Sequence, residues 1–308
     1  MTTGPHSSGQ PGFLKNANSA AREVFIPWFL DNKGGSFEQM LRSMHRVSAT
    51  GLPAQREEFT GLDNYSSADV FPGMSRVEVL EMDEAGINAF GGREKFEAAV
   101  AHLRGNQMWT PMVVNRELYM RKFKTLSELK KEGTVVEDKY RIVIPQRGRS
   151  IAILADFQTE GDLVKRVQWD VVPPGLSPEG KIQNVWQRVD DARVVENYSY
   201  FPDERQLPSF IREAERLMNE IKALPVLPNG SGSHSRLLVL LADYFQVMLT
   251  SHFFCRINFS LLMNQVNTIL YLNNMNPVYH EDLDRWAIVL PPEQFREVFV
   301  DQVRAFNP

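Results

Sequence analysis

The sequence predicts an α+β fold, mostly α, in which a helical core carries a small antiparallel β insert. Three observations predict it. Phe37, Met40, Leu41, Met44 and Val47 recur at helical spacing near the N-terminus. Phe210, Ile211, Ala214, Leu217 and Ile221 do the same in the last third. Between them, residues 140–145, 150–157 and 164–172 are rich in Val and Ile and bounded by turn residues, as strands are. The order helices, sheet, helices sets the class.

Taken in order, residues 1–16 read as a disordered leader. The first twelve hold Gly, Pro, Ser and Thr, without the basic and apolar regions of a signal peptide. Residues 17–308 form one domain. A short helix over 17–30 is expected to break or kink near Pro27, which has no N–H to donate. Ser36, with Gln39 three residues on, predicts a capped helix over 37–49. Residues 57–92 are expected to be mostly loop, with a short strand over 77–82. Phe59, Tyr65 and Phe71 in that loop are candidates for a binding surface. Helices are expected over 93–104 and 118–131. The β insert, at about residues 135–175, is expected to hold about three strands. Its hairpin loop lies at 146–149, and Pro173-Pro174-Gly175 closes it. Helices over 208–224, 235–250, 259–272, 280–285 and 291–306 complete the chain.

Composition excludes several classes. The chain has 308 residues, 43% of them hydrophobic and 23% charged, so it can bury a core and is not disordered throughout. A net charge of -4 argues against a broad nucleic-acid-binding surface. The apolar stretch over 237–254 is interrupted by Asp243 and Gln246, so it predicts a buried helix and not a membrane span. The single cysteine, Cys255, rules out an internal disulfide and a cysteine-rich zinc site, and it fits a reducing, cytoplasmic compartment.

One stretch carries chemistry. After the most apolar helix come Thr250-Ser251-His252-Phe253-Phe254-Cys255-Arg256-Ile257-Asn258-Phe259-Ser260, and then another apolar helix. Asn258 or Ser260 is placed to cap that second helix, whose first N–H groups would face the loop and attract an anion. Arg256 has the fork geometry that pairs with phosphate. His252 is placed either as a general base or as a histidine favoured at a helix end by the dipole. Phe253 and Phe254 read as core anchors and Cys255 as a buried filler. Gln146-Arg147-Gly148-Arg149 reads as a solvated loop. His280-Glu281-Asp282 lacks metal-ligand spacing, and no metal site is expected.

This stretch resembles a degenerate Fic motif, the signature H-P-F-x-[D/E]-G-N-G-R of the Fic/Doc (Fido) superfamily. His252, Phe254 and Asn258 match in register. The segment from Ser36 to Arg46 is similar to an early helix of that superfamily, and Asn276-Pro277-Val278 fits its layout. The resemblance covers about residues 234–284. It implies a Fido-like core with His252 as the base that deprotonates a hydroxyl. The departures are specific. Arg256 stands where an acid would hold magnesium, Ile257 and Phe259 replace both glycines, and Ser260 replaces the terminal arginine. A β-branched Ile257 is expected to resist positive φ and so to spoil the anion cradle. The AvrB-type plant-pathogen effectors are a branch of the superfamily that also lacks the standard loop.

The resemblance therefore implies a divergent transferase that uses a phosphate-containing donor, a nucleotide or a nucleotide sugar, without standard magnesium-dependent nucleotidyl transfer. His252 would be its catalytic residue, with Arg256, Asn258 and Ser260 as ligand-binding residues. Two alternatives stay open: a non-catalytic module that binds a protein or small molecule, and a biosynthetic enzyme that reuses the same cavity. The sequence names no cofactor.

Overall fold

Helix α1 (Phe13–Ser19) widens into a π-type turn (Ala20–Phe25) and continues as α2 (Ile26–Asp31). The computed structural model describes residues 13–50, 71–101, 103, 107–109, 125–137, 139–146, 149–189, 194–226, 234–278 and 282–307. Helix begins at Phe13, inside the span expected to be a leader; residues 1–12 lie outside the described ones. The expected break at Pro27 does not occur. The wider turn just ahead of it absorbs the missing N–H and the ring's clash with the preceding turn, and the chain stays helical.

Helix α3 (Phe37–Ala49) forms as its cap predicts. The Gln39 N–H donates to Ser36 Oγ at 3.3 Å, and the Ser36 N–H donates to Gln39 Oε1 at 2.9 Å. Phe37, Met40, Leu41 and Met44 are buried, and so is His45.

Residues 71–100 differ from expectation. In place of a strand over 77–82 there is helix α4 (Arg76–Leu80), opened by a second capping box at Ser75 and Glu78. Asp83 caps α5 (Glu84–Phe90), and α6 (Arg93–Val100) follows; Ala101 and Leu103 continue it as 3-10 turn, and residues 102 and 104 lie outside the described ones. Phe71 is no binding surface. It is buried in a small satellite core with Val79, Ile87, Phe96, Val100 and Cys255. Phe59 and Tyr65 lie outside the described residues. Of the helix expected over 118–131, α7 (Leu126–Lys131) is described.

The sheet is more than twice the expected size. Its seven strands are β1 (Gln107–Trp109), β2 (Val135–Val136), β3 (Lys139–Gln146), β4 (Arg149–Glu160), β5 (Leu163–Val171), β6 (Ile182–Val189) and β7 (Val194–Tyr200). They lie in the order β1-β7-β6-β5-β4-β3-β2, and all neighbouring pairs are antiparallel. The three expected strands are β3, β4 and β5. Pro173-Pro174-Gly175 does not close the sheet; it leads through a short 3-10 turn (Pro178–Gly180) into β6. Strands β6 and β7 escape the periodicity test because polar residues stand on their buried side. Asn184 and Ser199 are both fully buried, and Ser199 Oγ donates to Asn184 Oδ1 at 2.7 Å.

The C-terminal helices are α8 (Leu207–Lys222), α9 (Ser235–Ser251), α10 (Asn258–Leu272), α11 (Leu283–Val289) and α12 (Pro292–Phe306). The helix expected over 280–285 starts at Leu283 and runs further; residues 279–281 lie outside the described ones. Helix α9 is the centre, packed by α8, α10, α11 and α12. The inner sheet face, with Ile142, Ile153, Val167, Trp169 and Trp186, joins the same hydrophobic core as the helices. Asn184 Nδ2 and Trp169 Nε1 each donate, at 3.0 Å, to the last carbonyls of α11, those of Ile288 and Val289. Gln246 on α9 donates to Ala287 O and Leu290 O at 3.0 and 2.9 Å. The fold is thus α+β and mostly α. Among the described residues no helix is long and apolar enough to cross a membrane.

Candidate functional site

The four residues singled out in the sequence lie where α9 meets α10: His252 and Arg256 in the turn, Asn258 and Ser260 in the first turn of α10. His252 closes α9 in the left-handed conformation, φ 45°, ψ 51°. Ile257 opens α10 in the same region, φ 65°, ψ 4°. The expectation that Ile257 resists positive φ is therefore overturned. A non-glycine residue there costs about 1–2 kcal/mol, so its surroundings must over-determine the turn. They do so from three sides: Ile257 itself is 9% exposed, and α3 and Asn258 each hold the loop.

Asn258 does not cap α10, and neither does Ser260; the helix has no side-chain cap. Asn258 instead brackets one residue, Phe254. Its Oδ1 accepts from the Phe254 N–H at 2.8 Å, and its Nδ2 donates to the Phe254 carbonyl at 2.7 Å. The same Nδ2 stands 3.5 Å from His252 Nδ1, so two of the four residues do meet. Ser260 lies half-buried in the first turn of α10. The His252 ring is half-buried and stacks on Phe201, centroids 4.6 Å apart.

Helix α3 grips the loop from below, which sequence reasoning missed. His45 is fully buried. Its Nδ1 accepts from the Gly73 N–H at 2.9 Å, so the ring proton sits on Nε2, which donates to the Arg256 carbonyl at 3.2 Å. The ring lies on Phe254, centroids 3.9 Å apart and 7° from parallel. Burial pushes the His45 pKa down to about 4, against the raising effect of the Arg256 carbonyl. One turn earlier, Arg42 donates to Gly73 O at 3.1 Å, pairs with Glu38 and Glu78, and stands over the Phe253 ring. Gly73 is gripped at both ends of its backbone. It needs to be glycine: φ is 79°, and an added Cβ would meet Arg46 Nη2 at 3.0 Å and Arg42 O at 3.3 Å.

The strand-like segment after Gly73 completes the clamp. Ser75 and Phe254 form an isolated antiparallel bridge, and the Arg76 N–H donates to Phe253 O at 2.8 Å. The buried Arg76 guanidinium reaches Glu204 at 3.3 Å and the Pro202 carbonyl. This ties α4 to the segment that carries Phe201. Cys255 is buried, and burial pushes its thiol up to about 12 although Arg256 and Arg76 oppose this, so it is no nucleophile at neutral pH.

Arg256 is half-buried beside Cys255. Asp243, the carboxylate nearest to hand in the sequence, belongs to Arg296, with contacts of 2.5 and 3.0 Å. Among the described residues no group of three or more His, Cys, Asp or Glu side chains is placed to hold a metal ion. His280 and Glu281 lie outside them. The signals that sequence reasoning passed over were a capping box at Ser75-x-x-Glu78 and one buried-face histidine, His45. Compared with known protein families and curated proteins, the sequence matches no family model and no curated protein.

Proposed function

We propose that the chain is a divergent, Fic-like transferase that receives a phosphate-containing donor, a nucleotide or nucleotide sugar, at the 252–260 loop. One observation carries the reading: Ile257 is held at φ 65° at the start of an uncapped helix of 15 residues. That is where the resemblance places a glycine. A left-handed residue followed by a right-handed one points successive N–H groups to one side, which suits an oxyanion. The first N–H groups of α10 have no partner within the helix. In this reading His252 takes the proton from the acceptor hydroxyl, whose oxygen bonds to the transferred group as the bond to the donor's pyrophosphate or nucleoside diphosphate breaks; Arg256 and the Ser260 hydroxyl hold the charge of that leaving group. The Phe201 stack and the left-handed cap hold the imidazole in place. The sheet, larger than the small insert the resemblance leads one to expect, does not favour the reading.

The test is calorimetric titration with adenosine and guanosine triphosphates and with uridine-diphosphate sugars. Binding by the unmodified chain, weakened in Arg256→Ala, supports the site. Transfer abolished in His252→Ala with binding retained supports the role of the base. No binding at millimolar concentration sinks the reading.

A second reading, a non-catalytic binding module, is favoured by Asn258, which gives both ends of its amide to Phe254. A module keeps its partner when His252 and Arg256 are both replaced by alanine; the transferase does not keep its donor.

A further inference from the structure

We propose that His45 is a positioning residue for the 252–260 loop, acting as a neutral Nε2–H donor on the Arg256 carbonyl. The inference rests on reading that loop as the ligand site. His45 meets two segments with two different atoms. Nδ1 takes the Gly73 N–H at 2.9 Å, and Nε2 serves the Arg256 carbonyl at 3.2 Å. A neutral imidazole has one donor and one acceptor, so the first bond dictates the second. The Arg256 carbonyl begins the peptide unit that ends at the Ile257 nitrogen. Holding it fixes the plane from which Ile257 turns left-handed, and with it the direction of the first N–H of α10. The stack on Phe254 fixes the ring that makes the bond. Arg42, three residues earlier on α3, holds the other face of the Gly73 backbone and shields Phe253. Helix α3 therefore sets the loop geometry through His45, with Arg42 beside it, from the other end of the chain.

Two amide mimics separate the two bonds. In His45→Asn the side-chain oxygen falls near the position of Nδ1 and keeps an acceptor for Gly73. In His45→Gln the side-chain nitrogen falls near Nε2 and keeps a donor for Arg256. The readouts are the two groups that His45 itself bonds: hydrogen exchange at the Gly73 amide and the carbonyl-carbon NMR shift of Arg256. Losing the first bond raises exchange about tenfold. His45→Asn should move the Arg256 carbonyl shift and spare Gly73 exchange; His45→Gln should do the reverse. Equal change at both groups in both variants, the mark of a merely structural residue, overturns the proposal. So does an Arg256 carbonyl shift that is unchanged in His45→Asn. If neither variant folds, nitrogen NMR of His45 in the unmodified chain decides: a proton on Nε2 supports the proposal, and one on Nδ1 overturns it. A chain that binds no nucleotide sinks the proposed function and leaves the split between the two groups to judge this inference.

Discussion

The imidazole of His45 lies flat on the Phe254 ring, centroids 3.9 Å apart and planes 7° from parallel. Burial outweighs what favours a charge on the imidazole there, the Arg256 carbonyl. Its pKa is down to about 4 from 6.5, chiefly because burial strips water from the charged form, with Arg46 adding repulsion.

Stability should therefore fall in mild acid. Between pH 6.5 and about 4 the unfolded chain binds a proton at His45 that the folded chain refuses. The contribution is fully present above pH 6.5 and is lost as pH falls through that window, to a total of about 3 kcal/mol. Urea unfolding at several pH values checks this, with His45→Gln as the reference. The unmodified chain should lose stability more steeply than the variant. Parallel pH profiles for the two would show that His45 is not the group responsible.

Asn258 closes two hydrogen bonds on a single residue, Phe254. Asn258→Ala should cost about 1–3 kcal/mol, since it strands a partly buried N–H and C=O together. Asn258→Asp keeps the acceptor but sets a carboxylate against the Phe254 carbonyl, and should recover less than half of the loss. Chemical denaturation of the three proteins measures both differences. A loss in Asn258→Ala of under a few tenths of a kcal/mol would mean that water replaces the clamp.

Ile257 should invert a familiar order. At right-handed helical positions alanine is more stable than glycine by about 1 kcal/mol. At φ 65° the left-handed penalty falls on alanine and not on glycine. Ile257→Gly and Ile257→Ala both lose the buried side chain, so that loss cancels between them. The glycine variant should be the more stable by about 1 kcal/mol. Thermal or urea melts of the pair decide it, and a more stable alanine variant would mean that the turn relaxes once the branch is gone.

These residues also show what a sequence discloses. The α3 boundaries were legible because both halves of its cap are local, Ser36 and Gln39. The same signal at Ser75 and Glu78 was overlooked in favour of the β-branched Val77 and Val79, and it decided the matter for helix. Strands β6 and β7 were illegible because Asn184 and Ser199 face inward, where alternation calls for apolar side chains. At the site, His252, Arg256 and Asn258 stood out by proximity in sequence. His45 did not, because on an amphipathic helix it is one more buried position. Its partners lie 28 and 211 residues away, and only the packing of α3 under the loop brings them together.

The polar seam between sheet and helices should be worth more than its few bonds suggest. Asn184 accepts from Ser199 and donates to Ile288 O, with every partner out of water. Asn184→Leu removes the bond from the Ser199 hydroxyl and the bond to the Ile288 carbonyl, and should cost about 2–4 kcal/mol. Replacing Ser199 by alanine in the same chain removes that hydroxyl and should restore part of that loss. A double-mutant cycle by denaturation measures the coupling; additive costs would show that the seam is already bridged by water.

Arg256 separates the readings of the loop most sharply. If the uncapped start of α10 receives an anion, Arg256 supplies the positive charge where the resemblance expects an acid with magnesium. Arg256→Glu then reverses that charge. Two unit charges ~4 Å apart interact by about 4 kcal/mol at an effective dielectric near 20. Even a third of that weakens a bound anion roughly tenfold. Arg256→Ala should weaken it less, and added magnesium should not tighten nucleotide binding to the unmodified chain, because a divalent cation beside a guanidinium is repelled. In the competing account Arg256 points to solvent or pairs with a nearby carboxylate, and Arg256→Glu leaves binding unchanged; Asp243 is held by Arg296 at 2.5 Å. Titrating a nucleotide into all three proteins with and without magnesium gives the answer. Equal affinities across the three would remove Arg256 from the site, and a magnesium requirement in the unmodified chain would overturn the metal-free reading.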